Sequence, residues 1–96
     1  MMRNLYLVCY DIADPKRWRK VHKIMVGHGE SIQLSVFLCA LSPTEFQRLI
    51  ARLYPLLHTQ EDALATVDMG PEGTARERLI TFGTVHWEGG SRRVVV

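Results

Sequence analysis

Residues Leu5 to Asp14, read as Leu-Tyr-Leu-Val-Cys-Tyr-Asp-Ile-Ala-Asp, constrain the fold more than any other stretch. They form an apolar run with the length and the β-branched and aromatic content of a buried strand, from about Asn4 to Ile12, and they end in acid. Asp14-Pro15 then supplies an N-cap and a first helical residue, so a helix must follow at once. Leu5, Leu7, Cys9 and Asp11 fall on one side of the strand, and Tyr6, Val8 and Tyr10 on the other. A strand apolar on both sides is central, with one face covered by helices and the other by something else, such as a partner subunit. Asp11 lies at the carboxyl end, where sheets of α/β and α+β proteins tend to place ligands.

From Pro15 to Gly27, Trp18, Val21 and Ile24/Met25 make one apolar stripe at helical spacing, and Gly27-His28-Gly29 stops the helix. Trp18 reads as a core anchor on that stripe, with base stacking as the functional alternative. Glu30 to Leu41 alternates, Ile32, Leu34, Val36 and Leu38 against Gln33, Ser35, Phe37 and Cys39. Periodicity leaves open one long strand or two short ones bent near Gln33-Leu34-Ser35. Ser42-Pro43-Thr44-Glu45 is a capping box with proline at the first helical position, opening a helix whose buried stripe is Phe46, Leu49, Ile50, Leu53 and Leu57. Tyr54-Pro55 should fray or kink its end.

After a polar break at His58 to Glu61, Asp62 to Met69 reads as a strand, Gly70-Pro71-Glu72-Gly73 as a turn, and Leu79 to Val85 as a further strand. A Glu88-Gly89-Gly90-Ser91 loop then leads to the tail Arg92-Arg93-Val94-Val95-Val96. Three terminal valines need a strand partner; the sheet of a second copy is the favoured one, the chain's own sheet the alternative.

The 96 residues make one domain, 1–96, and 47% apolar with 23% charged composition is that of a globular protein. A chain this short buries only about two thirds of its unfolded surface, so a homodimer would supply missing core. The net charge is only +2, yet residues 15 to 29 hold Lys16, Arg17, Arg19, Lys20 and Lys23 with no acid among them. That basic face suits a nucleic acid or another polyanion, and also a merely solvated helix. No apolar run approaches the roughly 18 residues that span a bilayer, and no signal peptide is evident, which places the protein in the cytoplasm without a membrane partner. Cys9 and Cys39 lie far apart in strand-like runs without zinc spacing, and read as small buried residues kept reduced.

No nucleophile elbow, phosphate-cradling glycine loop or His-Glu-x-x-His motif is present. What remains is Asp11 beside a basic helix, with the hydroxyls of Ser31 and Ser35 on a neighbouring strand. A phosphodiesterase site needs a cation to neutralise phosphate charge and activate water. One aspartate is too few, but magnesium commonly uses one or two carboxylates, so two copies of Asp11 across a two-fold axis could suffice. The plainer reading has Asp11 accepting hydrogen bonds within the fold. Of the four histidines only His28, between two glycines near this presumed site, invites attention.

Tyr10-Asp11-Ile12-x-Asp14, the basic helix, and Gly29-x-x-x-Gln33-x-Ser35-Val36-Phe37 together resemble the CRISPR-associated protein 2 family, the small partner in the spacer-acquisition module. The resemblance covers most of the chain. It implies an α+β, ferredoxin-like βαββαβ sandwich with an extra C-terminal strand, in a homodimer whose two strand-end aspartates face each other across the interface. It also implies a short edge strand and a longer central strand within residues 30–41, and C-terminal strands in 79–96 that take part in dimerisation. By the same resemblance, Asp11 is the catalytic and metal-binding acid, holding one Mg2+ shared between subunits. The resemblance matches Arg17 to the first of a basic pair, and with Lys16, Arg19 and Lys20 of the basic face it is expected to hold nucleic acid. Ser35 and Phe37 match the Ser-Val-Phe element, and with Tyr10 and His28 they support the site. Trp18 departs from the arginine usual after Arg17, and Ser31 from the basic residue of many relatives. The function implied is a magnesium-dependent endonuclease on RNA or DNA, or a non-catalytic scaffold that binds duplex DNA and bridges CRISPR-associated integrase protein 1. A single-strand RNA-binding module with Tyr6, Tyr10 or Phe37 as stacking platforms and a toxin-like ribonuclease are the outside alternatives.

Overall fold

The computed structural model describes residues 2–86 and 92–95, with side chains up to residue 83. β1 (Asn4–Asp11) leads into α1 (Pro15–Val26), then β2 (Glu30–Gln33), β3 (Val36–Leu41), α2 (Pro43–Leu53) and β4 (Ala63–Pro71). These elements make the βαββαβ ferredoxin-like sandwich, its antiparallel sheet ordered β2-β3-β1-β4. β1 is central because it is apolar on both faces. α3 (Glu72–Arg78), β5 (Gly83–His86) and β6 (Arg92–Val95) follow.

The helices start where their capping residues stand. The Asp14 carboxylate accepts the Arg17 amide at 3.0 Å, and proline occupies the first turn of α1. At α2 the box is reciprocal: the Ser42 hydroxyl accepts the Glu45 amide at 3.2 Å while Glu45 accepts the Ser42 amide at 2.8 Å. The bond from the Ser42 amide lowers the Glu45 carboxyl below its usual range. Pro55 ends α2 in a short 3-10 turn over Tyr54–Leu56.

Both helices cover one face of the sheet, where Tyr6, Val8, Tyr10, Phe37 and Cys39 pack against Val21, Met25, Leu49 and Leu53. Burial, with the Glu30 charge nearby, pushes the Cys39 thiol up to about 12, in keeping with a small buried residue. The opposite face is only partly covered. Ala75 of α3 seals Leu5 and Leu38, with Leu7, Ile32, Ala40, Met69 and Leu79 around them.

Residues 30–41 form two strands, and the hairpin tip between them lifts Leu34 out of the expected buried row to 71% exposure. The Gly70-Pro71-Glu72-Gly73 segment turns only at Gly70, whose φ is +86°; Glu72 already starts α3. That helix is too short for a periodic signal and is held by contacts distant in sequence. Arg76 bridges Glu72 at 3.0 Å and Glu30 of β2 at 2.8 Å, and Ala75 is fully buried. Because α3 and its exit occupy residues up to 82, the strand foreseen from Leu79 is confined to Gly83–His86. Arg92–Val95 pairs with β5 of its own chain, Gly83 opposite Val95 and His86 opposite Arg92, which is the alternative given above and leaves the outer edge of β6 available to a second copy. The short spacing between β5 and β6 makes this local antiparallel pairing available. The Glu88–Ser91 loop lies outside the described residues.

Candidate functional site

Asp11 is the last residue of β1, opposite Ala63 of β4, and its side chain is exposed. It shares the partly covered sheet face with Leu7 and Cys9, and with Cys9, Tyr10, Ala63 and Ala65 it lines a shallow depression. No hydrogen bond or ion pair within the described residues engages its carboxylate, so the plainer reading, an acceptor used up by the fold, does not hold. Among the described residues no three His, Cys, Asp or Glu side chains come together to hold a metal ion. One free carboxylate per chain nonetheless suits magnesium, which keeps several waters and takes one or two carboxylates. Any second carboxylate would have to come from beyond the described residues.

Around Asp11 the chain is pinned by a residue that the sequence reading treated only as the start of a strand. Asp62 accepts the amides of Ala13 at 3.0 Å and His58 at 2.9 Å, and the Arg17 guanidinium at 2.8 and 3.2 Å. Its side chain is fully covered, and the Arg17 bonds hold its carboxyl well below the usual carboxylate range. Arg17 also reaches Glu61 at 3.1 Å. Its guanidinium therefore locks the start of α1 to the start of β4, which sets it apart from the other cations expected on the nucleic-acid face. The signal was an acid just before a strand that pairs with the acid-bearing end of β1, visible only once that pairing is known.

The other cations behave differently. Lys16, Arg19, Lys20 and Lys23 are exposed, share one surface of α1, and make no ion pair within the described residues. Their spacing of three, four and seven sets them along one side of the helix, and Lys23 lengthens the expected ridge. With α1 packed on the Tyr6/Val8/Tyr10 face, the ridge and Asp11 lie on different layers.

The supporting residues divide. Tyr10, Ser35 and Phe37 gather behind the ridge: the Tyr10 hydroxyl meets His22 Nδ1 at 3.0 Å, and Trp18 Nε1–H donates to Ser35 Oγ at 2.8 Å. Trp18 stacks on His22 with ring centres 4.4 Å apart, and His22 sets its edge against Phe37 at 5.5 Å. The sequence reading overlooked His22, which sits on the apolar stripe one turn from Trp18. His28 is not near Asp11. α1 runs back along the sheet, so its end lies at the far end of β1, where His28 Nδ1–H donates to the Ile24 carbonyl at 2.8 Å. Ser31 bonds the Gln33 carbonyl at 2.9 Å, a turn contact within β2.

Residues 2–76 match the family model described as CRISPR associated protein Cas2. The chain belongs to this family. It is 46% identical over 68 residues to "CRISPR-associated endoribonuclease Cas2 1" of Rhodospirillum rubrum, covering 71% of this chain and 67% of that one. It is 34% identical over 82 residues to the "CRISPR-associated endoribonuclease Cas2" of Geobacter sulfurreducens, covering 85% and 86%. The fold is similar to the crystal structure of Streptococcus pyogenes Cas2 at pH 6.5, with a TM-score of 0.73 and 32% identity over 82% of this chain and 99% of that one. A hypothetical protein of Thermus thermophilus gives a TM-score of 0.66 at 32% identity, with 88% of each chain covered. The family match ends inside α3, so β5 and β6 lie beyond it. No helix among the described residues is long and apolar enough to cross a membrane.

Proposed function

We propose that the protein is a cytoplasmic CRISPR adaptation factor that cuts RNA phosphodiesters as a magnesium-dependent homodimer, with Asp11 of each subunit as metal ligand. The observation that carries this reading is the unengaged Asp11 carboxylate at the rim of a sheet face that its own chain leaves partly open. Leu7 and Cys9 lie beside it, and Val67, opposite Leu7, is 52% exposed. Two such faces packed together would bury apolar surface and bring two carboxylates to one place. The C-terminal strands β5 and β6 would extend that interface. Magnesium held there supplies charge neutralisation at the phosphate and a more acidic water. The chain's own contribution is an unengaged carboxylate on a backbone that Asp62 anchors two residues further on, at the Ala13 amide, and a row of unpaired cations that holds the nucleic-acid backbone. The relatives' names as endoribonucleases support RNA as the substrate.

The separation of ridge and acid onto two layers favours a second reading. A scaffold that binds duplex DNA along α1 and bridges CRISPR-associated integrase protein 1 would need the ridge and the dimer but not Asp11. Cleavage of single-stranded RNA and duplex DNA, with magnesium or a chelator, tests the choice on wild type, Asp11→Asn and Val67→Lys, with mass by light scattering. Loss of magnesium-dependent cleavage in Asp11→Asn, and of both dimer and cleavage in Val67→Lys, is expected. Equal cleavage by Asp11→Asn and wild type would refute the nuclease, and an unchanged mass for Val67→Lys would refute the sheet-face dimer.

A further inference from the structure

At the end of the sheet that carries Asp11, the first turn of α1 and the β2–β3 hairpin tip border an open apolar groove of about 430 Å³. Its lining is Ile12, Ala13, Pro15, Trp18, Arg19 and Leu34. Two features set it apart from ordinary surface. Leu34 stands 71% exposed at the hairpin tip, touching no core. Trp18 is fixed in place, one ring face on His22 and its Nε1–H on Ser35 at 2.8 Å, so its remaining surface is a rigid wall. Arg19 lines both this groove and the ridge with Lys16, Lys20 and Lys23. An apolar slot with an aromatic wall thus opens directly onto a row of unpaired cations.

We propose that this groove takes one unstacked nucleobase of a single strand whose phosphates lie along the α1 ridge. The inference rests on the nucleic-acid reading above and adds a base-binding subsite to it. Charge complementarity selects the occupant. An apolar protein segment would satisfy the slot but leave Arg19 and its three neighbours without partners, whereas a nucleotide offers a flat apolar face and an anion one bond system away. Stacking of this kind tolerates every base, because each has a π-face. A base inside a duplex is stacked and paired and cannot enter, so the groove discriminates single strands from duplex.

Fluorescence anisotropy with three labelled probes tests this: a short single-stranded RNA, the same strand abasic throughout, and the RNA duplex. Wild type should bind the base-bearing strand about tenfold more tightly than the abasic strand. Leu34→Ala, at an exposed position, and Trp18→Leu, checked for folding by its melt, should narrow that gap while leaving abasic and duplex binding unchanged. Lys20→Glu/Lys23→Glu should weaken all three. Equal binding of base-bearing and abasic strands by wild type, or a Leu34→Ala loss shared equally by all probes, overturns the proposal while the ridge reading stands. If the double lysine variant binds all probes as wild type does, the ridge reading falls and the proposal with it. Competition by an apolar peptide but not by single-stranded RNA would assign the groove to a protein partner and overturn it as well.

Discussion

Gly29→Ala is the sharpest test of how the sheet is assembled. Gly29 links α1 to β2, and a Cβ there would stand 2.5 Å from the Leu38 carbonyl oxygen, 2.6 Å from Cys39 Sγ and 3.2 Å from the Leu38 carbonyl carbon. Ordinary contact begins at 3.4 Å, so the neighbours would have to retreat by about 1 Å. They have nowhere to go. Leu38 is paired on one side with Leu7 and on the other with Glu30, and Cys39 is fully buried against the helices. Overpacking of this sort costs about 1–3 kcal/mol. At about 4–8 °C per kcal/mol for a domain of this size, the melting temperature should fall by about 5–20 °C. Gly73→Ala is the matched control, because it lies in α3 with nothing within 4 Å of the added carbon. It should stabilise by about 0.5–1 kcal/mol, since alanine is the better helix former and restricts the unfolded chain. Thermal melts by circular dichroism and urea titrations with an unchanged slope would read both. A Gly29→Ala protein that melts at or above the wild-type temperature would refute the reasoning, as would two alanine variants shifting the same way.

Further outcomes follow from the caps and the pinned acid. The Asp62 carboxyl is depressed chiefly by Arg17, so its contribution to stability is full above the ordinary carboxylate range and is lost as pH falls through the lowered value. Arg17→Ala should therefore be least stable relative to wild type at neutral pH. The gap should close as the pH drops below about 4, read as urea midpoints across a pH series; a gap that widens in acid would contradict the assignment. Ser42→Ala removes both the hydroxyl that caps α2 and the reciprocal box with Glu45, and should cost about 1 kcal/mol in the same assay.

Several features were legible because they depend on neighbours in sequence. The capping residues Asp14 and Ser42 and the prolines after them fixed the starts of α1 and α2, since an N-cap satisfies amides only two or three residues ahead. Alternation in Leu5 to Asp11 gave the central strand and put Asp11 on the face away from Tyr6, Val8 and Tyr10. The Tyr-Asp-Ile and Ser-Val-Phe motifs carried the family, which the match over residues 2–76 shows.

Tertiary structure decided what depends on partners remote in the chain. Nothing local in Arg17 distinguishes it from Arg19, yet β4 brings Asp62 and Glu61 to one guanidinium and leaves the other free. α3 is stabilised through Arg76 and Ala75 by β1, β2 and β3, so its seven residues carried no readable period. His28 stands between glycines that look adjacent to the site in a linear reading, and the return of α1 along the sheet carries it to the other end. Leu34 alternates with Ile32 and Val36 as a core residue would, but the hairpin reverses the chain there, and a residue at a tight turn has no sheet to bury it. Local rules act through backbone geometry and are written in order along the chain. The charge pairing, the depth of burial and the free Asp11 carboxylate arise from which distant segments the sheet sets side by side.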